Sequence, residues 1–174
     1  VGLTDTDERI VKMLRAAGKP VTLAVNKVDD RESEYLTAEF WKMGLGEPYG
    51  ISAMHGRGIG ELLDAALDSL KKAERTSGFL TPSHLRRVAL VGRPNVGKST
   101  LVNRILGRRA AVVEDTPGVT RDRVSYDAEW CGTDFKLVDT GGWEADVEGI
   151  ESAIASQAQI AVQLADAVDS RGGR

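Results

Sequence analysis

Residues 92–99 read Gly-Arg-Pro-Asn-Val-Gly-Lys-Ser, a G-x-x-x-x-G-K-S spacing that sets the chemistry the rest of the chain must serve. Gly92 and Gly97 let the backbone curl so that successive N–H groups point inward, forming a cradle for phosphate oxygens. Lys98 adds a compact positive charge for the outer phosphates, and the Ser99 hydroxyl is an oxygen ligand suited to magnesium. The run Arg87-Val88-Ala89-Leu90-Val91 before the motif is a short apolar strand. After it, Leu101, Val102, Ile105 and Leu106 recur at helical spacing. Strand, glycine loop and helix is the context the motif requires, and the helix start brings the positive end of its dipole to the phosphates. The alternative, a glycine turn before an ordinary helix, has to accommodate eight matched positions.

Three further groups fit the same chemistry. Asp139-x-x-Gly142 follows an apolar strand, where a carboxylate can reach magnesium, usually through a water, and the Gly142 N–H can face a γ-phosphate. Thr120 lies in the polar loop between helix and hairpin. A threonine there can offer magnesium a hydroxyl while the γ-phosphate holds the loop, an order–disorder switch; it can equally be an ordinary loop residue. Asn26-Lys27-x-Asp29 follows another apolar strand and reads as a guanine selector. The Asp29 carboxylate can accept from both the ring N–H and the exocyclic amine of guanine, a donor pair adenine lacks. The stem of Lys27 can lie over the base. Ser52-Ala53-Met54 ends the next strand, where a backbone N–H, that of Ala53 first, can reach the guanine oxygen. Asn and Asp also favour strand-end turns, the plainer explanation of residues 26–29. The nucleotide-binding set is therefore Gly92, Asn95, Val96, Gly97, Lys98, Ser99, Thr100, Asn26, Lys27, Asp29, Ser52, Ala53 and Met54. The magnesium set is Ser99, Thr120 and Asp139.

The elements that must position these residues can be read in order. Ile10, Val11, Leu14 and Ala17 stripe a first helix ended by Gly18 and Pro20. Val21 to Val25 is a nearly continuous apolar strand, as in a parallel sheet covered on both faces. A helix over about 32–43, a strand over 48–52 and a helix over about 59–72 follow. From Lys71 to Arg87 the periodicity fails, and Thr76-Ser77-Gly78 and Thr81-Pro82-Ser83 mark a linker. Residues 123–130 and 135–138 form a hairpin about Cys131-Gly132-Thr133-Asp134, and a last helix covers about 147–164. With 174 residues, 41% hydrophobic and 28% charged, the chain has room for an α/β domain with a core. Its net charge of −3 gives no global drive toward nucleic acid or an anionic membrane. The single cysteine, Cys131, excludes an internal disulfide and fits a reducing compartment. No apolar run approaches membrane-spanning length, and no signal peptide is expected.

Four stretches carry a family resemblance: Gly92 to Asn103, Thr116-Pro117-Gly118-Val119-Thr120-Arg121-Asp122, Asp139-Thr140-Gly141-Gly142-Trp143, and Gly44 to Pro48 leading into Ser52 to Gly56. Over nearly its whole length the chain resembles the first GTPase domain of the bacterial double-GTPase family Der (EngA). The Gly-Gly-Trp signature differs from the Asp-Thr-Ala-Gly usual in that family's second domain. The resemblance implies a P-loop NTPase of the Ras-like α/β fold, mostly parallel sheet with helices on both faces. It implies GTP and GDP as ligands with Mg2+, slow hydrolysis of GTP to GDP and phosphate, a role in assembling the large ribosomal subunit through ribosome or ribosomal RNA, and a cytoplasmic location. Small GTPases have a water-orienting glutamine after the D-x-x-G glycine; here that position is Trp143. In relatives with an apolar residue there, the asparagine matching Asn95 helps hold potassium, so Asn95 is expected to hold K+ and potassium to stimulate hydrolysis. The catalytic set is then Lys98, Asn95, Thr120 and Gly142. Arg121 and Arg123 are either solvated loop residues or arginine fingers.

The order of the motifs is inverted relative to that family. Residues 1–75 form a guanine-reading half, 76–86 a linker, 87–168 a phosphate and switch half, and 169–174 a tail, all taken as one domain in circularly permuted order. Joining the end to the start restores the family order, less one central strand that neither terminus supplies. Three origins compete: a circular permutant, preferred here; the tail of one GTPase domain, a linker and the head of the next; or a naturally permuted ribosome-assembly GTPase. Absence of the strand would leave backbone unpaired on both its neighbours. Unwinding of Ile160 to Val168, or exchange of segments with a second copy, could fill it. The rival to an enzyme is a GTP/GDP-binding module with little or no hydrolysis because that strand is missing. If residues 26–29 select guanine, Asp29→Asn shifts preference from guanine toward xanthine nucleotides in competition binding; unchanged guanine selectivity refutes the assignment.

Overall fold

The computed structural model describes residues 5–29, 35–78, 82, 86–93, 95–107, 125–140, 156 and 159. The elements run α1 (Asp5–Ala16), β1 (Leu23–Asn26), α2 (Tyr35–Phe40) continued by a 3-10 turn (Trp41–Met43), β2 (Pro48–Ile51), α3 (Ile59–Ser77), β3 (Arg87–Leu90), α4 (Lys98–Leu106), β4 (Ser125–Trp130) and β5 (Thr133–Asp139). The expected helix at 147–164 and the tail lie outside the described residues, apart from helical Ser156 and Gln159.

β1 pairs in parallel with β2, Val25 opposite Gly50. β3 pairs in parallel with β5, Leu90 opposite Asp139, and β4 closes antiparallel on β5. The β4–β5 turn is the two residues Cys131 and Gly132, at φ 48° and 73°, the double left-handed geometry that matches strand twist in a tight hairpin. Asp127 and Lys136 face each other across it at 2.6 Å, and Lys136 holds the exposed Asp127 carboxyl below its usual pKa. The architecture is the α/β P-loop fold expected, with helices packed on a mainly parallel sheet.

One core joins the stretches on either side of the linker. Ile51, Ile59, Leu62, Leu63 and Leu67 from the N-terminal side pack with Leu101, Val102, Phe135 and Leu137 from the C-terminal side. Trp130 Nε1 donates to Asp64 Oδ1 at 2.8 Å across the same boundary. Periodicity places the end of α3 near residue 72, but the helix continues to Ser77. The reason is Glu74, which follows Leu67 and Leu70 on the inward face and is buried. Arg86 meets it with a two-pronged pair, Nε and Nη2 each donating at 2.9 Å. A buried carboxylate is tolerable only with such a partner. The break in apolar spacing that suggests a linker from 76 to 86 is thus partly an ion-paired helix end. α2 is likewise shorter than its 32–43 pattern, since its last turn tightens to 3-10 before Gly44 at φ 60°. β1 starts two residues later than Val21.

The sheet is in two pieces. Among the described residues no ladder joins β1 to β3. Between their facing edges lies a cavity of about 350 Å³ lined by residues 23–26 of β1 and 87–90 of β3, with Ile10, Val11 and Leu14 of α1 and Leu62, Leu63 and Ala66 of α3 around it. All four residues of β3 are only half-buried, although this strand carries the phosphate loop.

Two glycines separate backbone need from space. Gly46, at φ +93°, has nothing near its missing Cβ, whereas a Cβ on Gly58, at φ +71°, would lie 2.4 Å from the Gly50 carbonyl oxygen at the start of α3. Gly46→Ala is expected to cost about 1–2 kcal/mol from the left-handed backbone alone. Gly58→Ala should cost distinctly more, read as a lower urea midpoint than that of Gly46→Ala.

Candidate nucleotide-binding site

β3 delivers the chain into the loop 92–97, and α4 begins at Lys98. Asn95 and Gly97 carry the curl, at φ 58° and 95°. Asparagine tolerates the left-handed region; Gly97 is required twice, since a Cβ there would lie 2.4 Å from Asn26 Nδ2. Gly92 is expected to supply part of the curl but shows no left-handed φ. A Cβ there would crowd Val96 Cγ2 at 3.3 Å, so its role is closeness within the loop. Lys98 Nζ donates to the carbonyls of Gly92 and Arg93, each at 2.8 Å. The ammonium thus sits inside the ring of the loop, where it holds the loop's shape and faces the space that phosphates would take.

Ser99 and Asp139 come together as their spacing predicts. Ser99 Oγ donates to Asp139 Oδ2 at 3.2 Å. Asp139 is buried at the end of β5, opposite Leu90 on β3, so the parallel pairing itself brings the carboxylate beside the phosphate loop. Thr140 follows, completely buried, and its hydroxyl donates to the Leu90 carbonyl, tying the two strand ends. A hydroxyl and a carboxylate converging from two elements are hard oxygen donors of the kind magnesium takes. Thr120 and Gly142, the other expected contributors, lie outside the described residues, as do Trp143, Arg121 and Arg123.

The residues expected to read the base assemble on the neighbouring strand pair. Lys27 takes φ 72°, a left-handed conformation costing a bulky residue about 1–2 kcal/mol. Buried Val28 then anchors the chain, its N–H donating to Ile51 O at 3.0 Å. Asp29 Oδ1 accepts from Ser52 Oγ at 2.6 Å, and Ser52 Oγ accepts the His55 N–H at 3.2 Å. Ser52, expected to touch the nucleotide, is 1% exposed and acts as a brace for the Asp29 carboxylate. Met54 is 72% exposed at the tip of the turn.

Asn26 connects the two clusters. Its Nδ2 donates to Val96 O in the phosphate loop at 2.7 Å, and its Oδ1 accepts the Ala53 N–H at 3.0 Å. Ala53 N–H, expected to meet the guanine oxygen, is therefore already hydrogen-bonded to Asn26. Arg104, Thr140 and Val28 were not legible as site residues. A lysine or arginine in the last turn of a helix ordinarily signals the dipole, and a threonine or valine beside a motif signals nothing. The Arg104 guanidinium instead donates to Ala53 O at 3.2 Å and to Met54 O.

Comparison with known proteins finds similarity to GTPases. Residues 87–172 match the family model described as 50S ribosome-binding GTPase. The chain is 69% identical over 142 residues to the GTPase Der of Bifidobacterium longum, covering 82% of this chain and 31% of that protein. It is 43% identical over 180 residues to GTPase Der of Streptomyces coelicolor, covering 98% of this chain and 39% of that protein. It is 62% identical over 142 residues to GTPase Der of Leifsonia xyli, covering 82% and 29%. The chain thus spans well under half the length of the curated relatives it matches.

Asn26→Asp keeps the acceptor for Ala53 N–H but sets a carboxylate against the Val96 carbonyl. The expected result is a loss of about 1–3 kcal/mol in stability and at least a tenfold weaker nucleotide affinity, measured by denaturant titration and fluorescent-nucleotide binding. An unchanged affinity would show that the bridge does not shape the phosphate loop.

Proposed function

We propose that the chain forms a guanine-nucleotide site that binds GTP with Mg2+ and hydrolyses it slowly to GDP and phosphate, within a GTPase that acts in assembly of the large ribosomal subunit. The observation that carries this reading is the Asn26 bridge, which ties the turn proposed to select guanine to the phosphate loop. Lys98 and the backbone N–H groups of the loop would stabilise charge developing on the transferred phosphoryl group. Ser99 and Asp139, with Thr120, would hold magnesium, which when bound neutralises phosphate charge and orients the outer phosphates. Asp29, braced by Ser52, would select guanine, with Lys27 against the base and the Ala53–Met54 turn at its oxygen. Asn95, exposed on the loop, offers a side-chain oxygen for K+, and Trp143 in place of a glutamine is the reason for a low rate. Gly142 would meet the γ-phosphate. No helix among the described residues is long and apolar enough to cross a membrane. The ribosome as partner and the cytoplasm as location rest on similarity to the relatives.

A second reading, a module that binds GTP or GDP with little turnover, is favoured by the open cavity between β1 and β3. The phosphate loop hangs from a strand that is paired on one edge by β5 and faces an apolar slot on the other. That slot fits one extended apolar strand, supplied by a segment of this chain outside the described residues or by a second copy in a segment-swapped dimer. On the origin of the motif order, one continuous match over 98% of this chain and 39% of the Streptomyces protein follows that protein's own order of segments. This favours the tail of one GTPase domain, a linker and the head of the next over a permuted single domain as the origin of the order, while the site proposed here is one that the two stretches form together across their shared core.

Phosphate release from GTP, compared in potassium and in sodium, separates the readings. The expected outcome is slow release, several-fold faster in potassium and abolished in Lys98→Ala together with most GDP affinity. Tight GDP binding without release in potassium would leave the binding module. Failure to bind GDP would overturn both.

A further inference from the structure

Arg104 stands six residues after Lys98 on α4, about 9 Å along the helix axis. Helical periodicity and the dipole account for an arginine there, but not for where its donors go. They reach two consecutive carbonyls roughly fifty positions back in the chain: Nε donates to Ala53 O at 3.2 Å, and Nη2 to Met54 O. The side chain runs along the turn, since a Cβ on Gly56 would lie 3.5–3.6 Å from its Nε, Cδ and Cζ. This is the turn whose N–H groups border the guanine-reading residues.

The consequence follows from peptide geometry. No peptide bond in the described residues is cis. In a trans peptide the C=O and the next N–H point in opposite directions. A guanidinium that fixes the Ala53 carbonyl toward α4 therefore fixes the Met54 N–H away from α4. The other N–H groups of the turn are already assigned, Ser52 to Arg57 O, Ala53 to Asn26 Oδ1, His55 to Ser52 Oγ and Gly56 to Ser52 O. The Met54 N–H has no partner among the described residues, and it is the donor whose direction Arg104 sets. A planar fork that meets two carbonyls at once defines an orientation that a lysine ammonium does not.

We infer that Arg104 is a positioning residue for base selection: by clamping the Ala53 and Met54 carbonyls it aims the Met54 N–H at the oxygen of a 6-oxopurine, and through α4 it ties that aim to the phosphate loop. The inference rests on the guanine-nucleotide reading above. It adds a residue on the phosphate-binding helix to the recognition of the base.

The test compares GDP with 2-aminopurine riboside diphosphate, which keeps the exocyclic amine and the phosphates but lacks the 6-oxygen and, with it, the ring N–H that Asp29 would accept. Binding is measured for the whole chain and for its Arg104→Ala and Arg104→Lys variants, with circular dichroism confirming that each is folded. The unaltered chain should prefer GDP. Arg104→Ala should bind GDP about tenfold more weakly while its affinity for the 2-aminopurine ligand stays the same, so the ratio falls about tenfold and keeps only the share that the ring N–H to Asp29 supplies. Arg104→Lys, which keeps the charge without the fork, should recover little of the ratio. Equal weakening of both ligands would mark Arg104 as a purely structural contact and overturn the inference, as would an unchanged ratio or full rescue by lysine. If the unaltered chain shows no preference for GDP, the guanine reading itself fails, a result distinct from any of these.

Discussion

The side-chain amide of Asn26 is the interaction on which the site depends. An amide offers a donor and an acceptor on one rigid plane, and here each is used on a different part of the molecule. The donor holds the Val96 carbonyl, fixing the phosphate loop from outside; the acceptor holds the Ala53 N–H, fixing the base-reading turn. Gly97 has to be glycine because the Asn26 amide occupies the place of its Cβ. Two of the three motifs thus specify each other, and the third is tied in by strand pairing, with Asp139 set opposite Leu90 and Thr140 bonded to the Leu90 carbonyl. A substitution at any of these joints shifts the relation between phosphates and base.

The sheet supplies this frame unevenly. β5 lies between β3 and β4 and has both edges paired, and its Phe135, Leu137 and Val138 are almost wholly buried. Among the described residues β3 has one paired edge and its four residues are half-buried, and in β1 only Val25 is buried. The loop's geometry is therefore held mostly from its far side, by Asn26 and Lys98, and from β5 through Thr140. An apolar strand between β1 and β3 would bury the edges that now line a cavity, and its contribution would fall directly on the strand carrying the loop. The two proposed activities, binding and turnover, would therefore respond differently to filling of the slot. Phosphate capture needs the loop's N–H groups and Lys98; positioning for reaction needs them held to within fractions of an ångström.

Much of the site was legible because its residues do chemistry that few other types can do. Gly97, Lys98, Ser99 and Asp139 stand as their spacing implies, and Asn26 and Asp29 lie at the strand end expected. What spacing could not carry was the difference between touching a ligand and supporting a residue that does. Ser52 belongs to the recognised motif yet is buried beneath Asp29, and Arg104 belongs to no motif yet holds two carbonyls of the base-reading turn. The first role depends on the β1–β2 pairing that brings Asp29 to Ser52, the second on α4 lying against the 52–56 turn, and local pattern encodes neither. The limits of α3 failed for a related reason. Glu74 breaks the apolar period, and only its pairing with Arg86, twelve residues on, shows that the helix continues.

The inverted order of motifs is less paradoxical in this light. The site is assembled from the ends of β1, β3 and β5 and the turn after β2, where the strands of an open α/β sheet leave a crevice. What the chemistry requires is that these ends point the same way and lie side by side; which one the chain visits first is immaterial to the ligand. The cost of a different order lies in the connections, and it grows only slowly with their length. Here the connection from α3 to β3 is short, because α3 runs to Ser77 and the Glu74–Arg86 pair places the chain at the foot of β3. From Arg86 the chain enters β3 directly, with Lys136 of β5 already bonded to the Arg86 carbonyl at 2.7 Å. Glu74 and Arg86, near the two ends of the segment that reads as a linker, are paired with each other, and the two motif-bearing stretches share one core.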